Sequence, residues 1–238
     1  MRRSLVLSLI CLSFVFGCSR PDQASDRGSA ATGGPPATGD WIIVRQDAEP
    51  ESLNPLTSTT TNGQYIYGGA NNSNIYEGLL QSEPGDWVTP RPLLAESRPE
   101  VSADHLSYTF TVRGGAKWHD GQPFTTDDVL FTYKAAATPF VDDAALRSYL
   151  TDLVNVELLE GRKVRLTVRK PYFMNEIVLG GLLIIPKHIF DSQGLLENIK
   201  FTDIVGVQGR SNPKLKEFGE QFNKHPNNRA PIGTGPYK

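Results

Sequence analysis

The stretch that most constrains this chain runs from Leu106 to Ala137, LSYTFTVRGGAKWHDGQPFTTDDVLFTYKAAA. Tyr108, Phe110 and Val112 alternate with Ser107, Thr109, Thr111 and Arg113, which predicts a half-buried strand with its apolar residues on one face. Gly114-Gly115 ends that strand, because glycine tolerates the positive φ of a tight turn. His119-Asp120-Gly121 reads as a second turn. Thr125 then opens a helix, and Asp128 completes a capping box with it. Asp127 and Asp128 also sit where the helix dipole favours negative charge. Val129, Tyr133 and Ala136 recur at helical spacing and are expected to face the core.

Beyond this unit, Trp41-Ile42-Ile43-Val44 is a short apolar run that suits a buried strand. Val154, Val156 and Leu158 alternate, Glu160-Gly161 turns the chain, and Val164, Leu166 and Val168 alternate again, which predicts a hairpin. Asn71 to Leu80 suggests a short helix with Ile75, Leu79 and Leu80 inward. Glu49 to Leu56 carries two prolines that favour extended backbone. The polar run that follows holds Thr57, Ser58, Thr59, Thr60 and Thr61.

The first residues read as a targeting segment. Arg2-Arg3 precede an apolar run, Leu5 to Phe16, which is too short to cross a bilayer core of roughly 30 Å as a helix. It ends in Val15-Phe16-Gly17-Cys18, which resembles a bacterial lipobox and marks Cys18 for lipidation after removal of residues 1–17. An ordinary signal peptide is the alternative. Cleavage there would leave Cys18 as the mature chain's one cysteine, with no disulfide and no cysteine-based metal site. Residues 18–40 are rich in Gly, Ser, Ala, Pro and Thr without hydrophobic period, and read as a flexible tether.

A formal net charge of -2, with no long basic or acidic run, gives no sign of a nucleic-acid partner. His105, His119, His188 and His225 are scattered, and neither a G-x-S-x-G elbow nor an H-E-x-x-H motif is present. His119-Asp120 with Asp127-Asp128 could suggest a metal or acid–base site, but the aspartates are better explained by the helix start. The expectation is therefore no enzyme, no metal and no cofactor. Trp118 is expected to pack beneath its turn rather than to stack on a ligand.

The order of these parts carries a family resemblance. Phe110-Thr111-Val112-Arg113, then Ala116 to Thr125, then Asp127-Asp128-Val129 resemble the signature of the family 5 extracellular solute-binding proteins. These are oligopeptide- and dipeptide-binding receptors of bacterial ABC importers, with nickel-binding relatives. Glu49 to Leu56, Ile75 to Leu80, Leu93 to Ser97, Pro171-Tyr172-Phe173, Pro186 to Ile189 and Pro231 to Lys238 resemble further segments of that family in the same order.

The resemblance implies an α/β fold: a lobe like the type II periplasmic-binding proteins, with a mixed sheet and an inserted α/β subdomain at about residues 70–170. It implies that residues 41–238 correspond to the N-terminal part of a solute-binding domain and that a second lobe is absent from this chain. It implies capture of a short peptide or related small solute, delivery to an ABC permease in the inner membrane, and a periplasmic or cell-surface location with a lipid anchor. Ser58, Thr59 and Thr60 are the ligand contacts it implies; a solvated loop is the alternative. The alternative for the whole chain is a truncated or vestigial lipoprotein that no longer binds ligand.

Overall fold

A computed structural model describes residues 45–58, 60–69 and 72–238. The expected strand at Trp41 to Val44, Thr59, the tether and Cys18 lie outside those residues. In chain order the elements are α1 (Thr61–Tyr67), β1 (Leu80–Glu83), β2 (Asp86–Pro92), β3 (Glu100–Val101), β4 (Ser107–Thr111), α2 (Thr126–Ala137), α3 (Ala144–Tyr149), β5 (Leu153–Leu159), β6 (Lys163–Val168), α4 (Asn175–Gly180), α5 (Lys187–Phe190), α6 (Phe201–Val205) and α7 (Pro213–Asn223). Residues 45–238 form a single compact α/β unit.

The central sheet has the order β3-β4-β6-β5, and β1 and β2 form a separate hairpin. All these pairings are antiparallel. The organising unit folds as its pattern dictates. Tyr108, Phe110 and Val112 are buried, and Phe110 pairs with Val164 of β6. Gly115 turns the chain with φ 80°, and Thr125 caps α2 in a complete capping box with Asp128. Val129, Tyr133 and Ala136 face the core, where α2 packs on β5, β6 and α6. Phe131 of α2 meets Phe218 of α7 edge-on at 6.0 Å between ring centroids.

The structure corrects three expectations. The described part of Asn71 to Leu80 is not helical. Ile75 and Tyr76 both donate their backbone N–H to Tyr67 O, at 3.0 and 3.2 Å, and Glu77 O accepts from Ile184 N at 2.9 Å. These backbone groups are satisfied by distant chain, so no helical ladder is needed. Ile75, Tyr76, Leu79 and Leu80 are nonetheless buried, so their inward assignment holds. Conversely, the end of the polar run starts a helix: Thr60 accepts from Gly63 N and caps α1. In β5 the register shifts between Leu153 and Asn155, a bulge that buries Leu153 in place of the expected Val154; Val156 is buried as expected, and Leu158 is 37% exposed towards the end of the strand. On β6 the alternation is intact, with Val164, Leu166 and Val168 all buried.

Candidate ligand-facing site

The proline segment is fixed by polar contacts that begin locally and end far away. Asn54 Oδ1 accepts from Leu56 N at 2.9 Å, an Asx turn, and Thr57 N and Ser58 N both donate to Asn54 O. Ser52 Oγ and Thr57 Oγ1 share a hydrogen bond of 2.8 Å. The long-range lock is Asn54 Nδ2 donating to Asn228 Oδ1 at 2.9 Å, with Leu53 N donating to Asn228 O at 2.7 Å. Asn228 in turn donates from its own side chain to Phe222 O at 2.9 Å, at the end of α7. Asn54 is fully buried, so each of these partners replaces water that the amide has lost.

The predicted contact residues then fall out as follows. Ser58 is buried, and its Oγ has no hydrogen-bond partner among the described residues. That hydroxyl lies against Gly63, where even a Cβ would come within 2.2 Å of it. Thr60 caps α1, and its hydroxyl donates to Glu51 Oε2 at 2.8 Å. Its side chain is therefore committed to holding the segment. Tyr67, at the end of α1, is buried, and its hydroxyl reaches Ser58 O at 3.5 Å. Burial raises the pKa of that phenol, so it stays protonated and can donate.

Beside this segment lies a cavity of about 360 Å³. Pro55 and α1 form one wall through Gln64 and Tyr67; Leu80, Ser82 and Pro90 of the β1–β2 hairpin form another. Tyr149 of α3, Ile177 of α4 and Gly181 to Leu183 close it. Nothing in the local pattern of the sequence marked Tyr149 or Ile177, because the fold alone brings α3 and α4 to the same opening. The two prolines of Glu49 to Leu56 mark extended backbone, but neither the Asx turn at Asn54 nor its partner Asn228 was read from the sequence.

A second junction joins the two remaining motifs. His119 N donates to Gly233 O at 2.9 Å, while Gly233 N donates to His119 Nδ1 at 3.2 Å. His119 Nε2 faces Gly235 O at 2.8 Å, so the imidazole must carry its hydrogen on Nε2. On its other side the Gly233–Gly235 segment lies against the chain before β1. A Cβ on Gly233 would sit 1.8 Å from Ile75 O, and one on Gly235 2.5 Å from Asn74 O. Both glycines are thus required by close backbone approach, and Gly235 N donates to Ile75 O at 2.9 Å.

The carboxylates that could suggest chemistry are held in structural roles. Asp128 is buried and accepts from Thr125 N and Lys187 N, each at 2.9 Å, and from Trp118 Nε1 at 3.3 Å. Burial pushes its carboxyl up, and these donors only partly oppose the shift. Trp118 is buried and meets Phe124 edge-on at 5.7 Å, so it packs beneath its turn as expected. Burial also raises the Asp120 carboxyl, but bonds from His188, at 2.7 Å, and Gln122 N outweigh it and hold the group below its ordinary range. Among the described residues, no cluster of three or more His, Cys, Asp or Glu could hold a metal ion.

Comparison with known proteins places these features. The chain is 27% identical to Protein XP55 of Streptomyces lividans over 99% of its own length and 36% of that protein. It is 27% identical to the oligopeptide-binding protein AppA of Bacillus subtilis, over 98% of itself and 37% of AppA. The chain therefore spans little more than a third of these relatives. Its fold matches the crystal structure of AppA in complex with a nonapeptide, at TM-score 0.55 and 26% identity, covering 80% of this chain and 32% of that one. It also matches NikZ of Campylobacter jejuni in complex with Ni(L-His), at TM-score 0.55 and 29% identity, covering 80% of this chain and 31% of that one. The fold is thus that of one portion of a type II periplasmic-binding protein. A sequence profile of the bacterial extracellular solute-binding proteins, family 5, in its middle region, matches residues 89–238, and the chain belongs to that family.

Proposed function

We propose that this chain is part of the substrate-binding component of an ABC importer and that its solute is a short peptide. The observation that carries the reading is the anchoring of Asn54 by Asn228 and of Thr60 as the cap of α1, beside a cavity with no charged residue among its described lining. A relative with this fold was crystallised with a nonapeptide. Another was crystallised with Ni(L-His), a smaller solute that the same family accommodates.

In this reading the Ser58, Thr59 and Thr60 stretch meets the ligand through its backbone, since the Thr60 hydroxyl is engaged as a cap. The first lobe, with its inserted subdomain at about residues 70–170, would supply one side of the ligand site. No bond of the solute is broken. The ligand is held and passed to an ABC permease in the inner membrane. Cys18 carries the lipid that keeps the protein on a periplasmic or cell-surface membrane, and residues 18–40 are its tether. Calorimetric titration with a pool of di- to pentapeptides, and separately with Ni(L-His), tests the solute class. Saturable heat with the peptides alone supports the reading; saturation by Ni(L-His) alone replaces it. Membrane fractionation of Cys18→Ala tests the anchor, and a variant that stays membrane-bound as the parent does would remove it.

A further inference from the structure

The cavity beside α1 has a composition that selects its occupant. Among the described residues, none that lines it is charged, although 21% of the whole chain is. Its floor is Leu80, Leu182 and Leu183, all buried, while its rim is formed by the exposed side chains of Gln64 and Tyr149, the latter at 71% exposure. About 360 Å³ is at the small end of ligand cavities, which run from about 300 to 1,000 Å³. It is room for one bulky side chain with its adjoining backbone, not for an extended chain.

We infer that this cavity is a side-chain subsite that accepts an aromatic or branched aliphatic residue of a bound peptide and rejects charged ones. The inference rests on the peptide-binding reading and adds the class of residue admitted. An ammonium or carboxylate entering here would lose its water and find no opposite charge, a desolvation that nothing in the lining offsets. A leucine or phenylalanine side chain would instead remove apolar surface from water on both partners. Position supports that occupant. Pro55 lines the cavity and immediately precedes Leu56, Thr57 and Ser58, so a peptide running beside this segment could drop one side chain into it. Gln64 and Ser82, the uncharged polar residues of the lining, could meet the peptide's backbone as its side chain enters.

The test titrates the 238-residue chain with Ala-Leu-Ala, Ala-Phe-Ala, Ala-Asp-Ala and Ala-Lys-Ala, following the methyl resonances of Leu80, Leu182 and Leu183 by NMR. The expected result is binding of the Leu and Phe peptides at least about tenfold tighter than the Asp and Lys peptides, with shifts at those methyls. Ile177→Glu places a carboxylate in the wall and Tyr149→Glu one on the exposed rim; circular dichroism checks that each folds. Each folded variant is expected to lose the apolar preference and to gain affinity for Ala-Lys-Ala. Tyr149→Glu keeps the test decisive if Ile177→Glu does not fold. Peptides that bind without discrimination, or a preference unchanged in a folded variant, would overturn the subsite while leaving peptide capture intact. If no peptide binds, the peptide reading itself falls, and the subsite with it.

Discussion

The unit from β4 to α2 and the segment from Ser52 to Leu80 both send side chains into the core, yet they are held in opposite ways. The first is specified almost entirely by neighbours in sequence. Its alternation, its glycine turn and its capping box all lie within Ser107–Ala137. The second is specified by partners far along the chain: Asn228 for Asn54, Ile184 for Glu77, and Gly235 for Ile75. A locally specified unit tolerates loss of any single distant contact. A remotely specified one depends on a few polar pairs. That difference should be measurable.

The largest effect is expected inside the local unit, where burial is apolar and complete. Phe110 is 0% exposed at the middle of β4, and Phe110→Ala leaves a cavity lined by its former neighbours. The expected cost is about 3–5 kcal/mol, read as a fall in the denaturation midpoint. A Phe110→Ala protein that unfolds at the parental midpoint would mean that this strand face is not the core.

Next comes the lock of the remote segment. Asn54→Ala leaves the buried Asn228 Oδ1 without its donor, and should cost about 1–3 kcal/mol. The sharper measurement is the cycle with Asn228→Ala. Coupling of at least about 0.5 kcal/mol is expected, because each amide loses its partner once and not twice. Additive costs would show that the two ends of the segment are held independently, and would erase the distinction drawn between the regions.

The sequence yielded the local unit for the same reason that it is robust: period-two alternation and a Thr-x-x-Asp cap are complete within a few residues. The second region was misread in two ways. Thr61 and Gly63 are poor helix formers, so α1 was invisible until Thr60 and the packing around it were placed. Asn71 to Leu80 carries apolar residues at spacings that suit a helix, but Tyr67 O and Ile184 N engage its backbone instead. The cavity was beyond reach altogether. Its walls come from α1, β1, β2, α3 and α4, and no local pattern encodes their meeting. Trp118 was legible because an indole beside a tight turn has one bulky place to go, and here it lies under the turn against Phe124.

A smaller effect tests the joint between the two styles. Asp128 closes the local capping box, yet it also holds Lys187 N, which lies 59 positions away. Burial is the chief cause of its raised pKa, so the protonated form suits the folded state better than the unfolded one. Its contribution is therefore fully favourable below its unfolded pKa of about 3.9, and is lost as pH rises through the higher folded value. Acidification from neutral pH should accordingly narrow the gap between this group's cost and its benefit. The parent should lose less stability on acidification than Asp128→Asn, a variant that cannot titrate there. Equal slopes for the two proteins between about pH 3 and 7 would mean that the hydrogen bonds to the carboxylate balance its burial, and a steeper loss in the parent would mean that they outweigh it.

The smallest expected effect is the most specific. In β5 the alternation of Val154, Val156 and Leu158 suggests a single buried face, and a regular strand would place all three in the core. The register shift between Leu153 and Asn155 prevents this. With one residue unpaired, Leu153 and Val156 are both buried although they are three apart, and Leu153 takes the place expected of Val154; Leu158, opposite Val164 of β6, shares the face of Val156 but is 37% exposed near the end of the strand. Such a bulge re-aims every side chain beyond it, because side-chain direction in a strand has a period of two. Leu158→Thr exchanges an exposed apolar residue for a β-branched one that suits a strand, so stability should change by no more than about 0.5 kcal/mol. Val156→Ala, two residues away, removes buried methyl groups and should cost more than Leu158→Thr does. The pair is read in one denaturant series. If Leu158→Thr proves the costlier, Leu158 is packed as deeply as the alternation in the sequence suggests, and its exposure at the end of β5 is not the deciding feature.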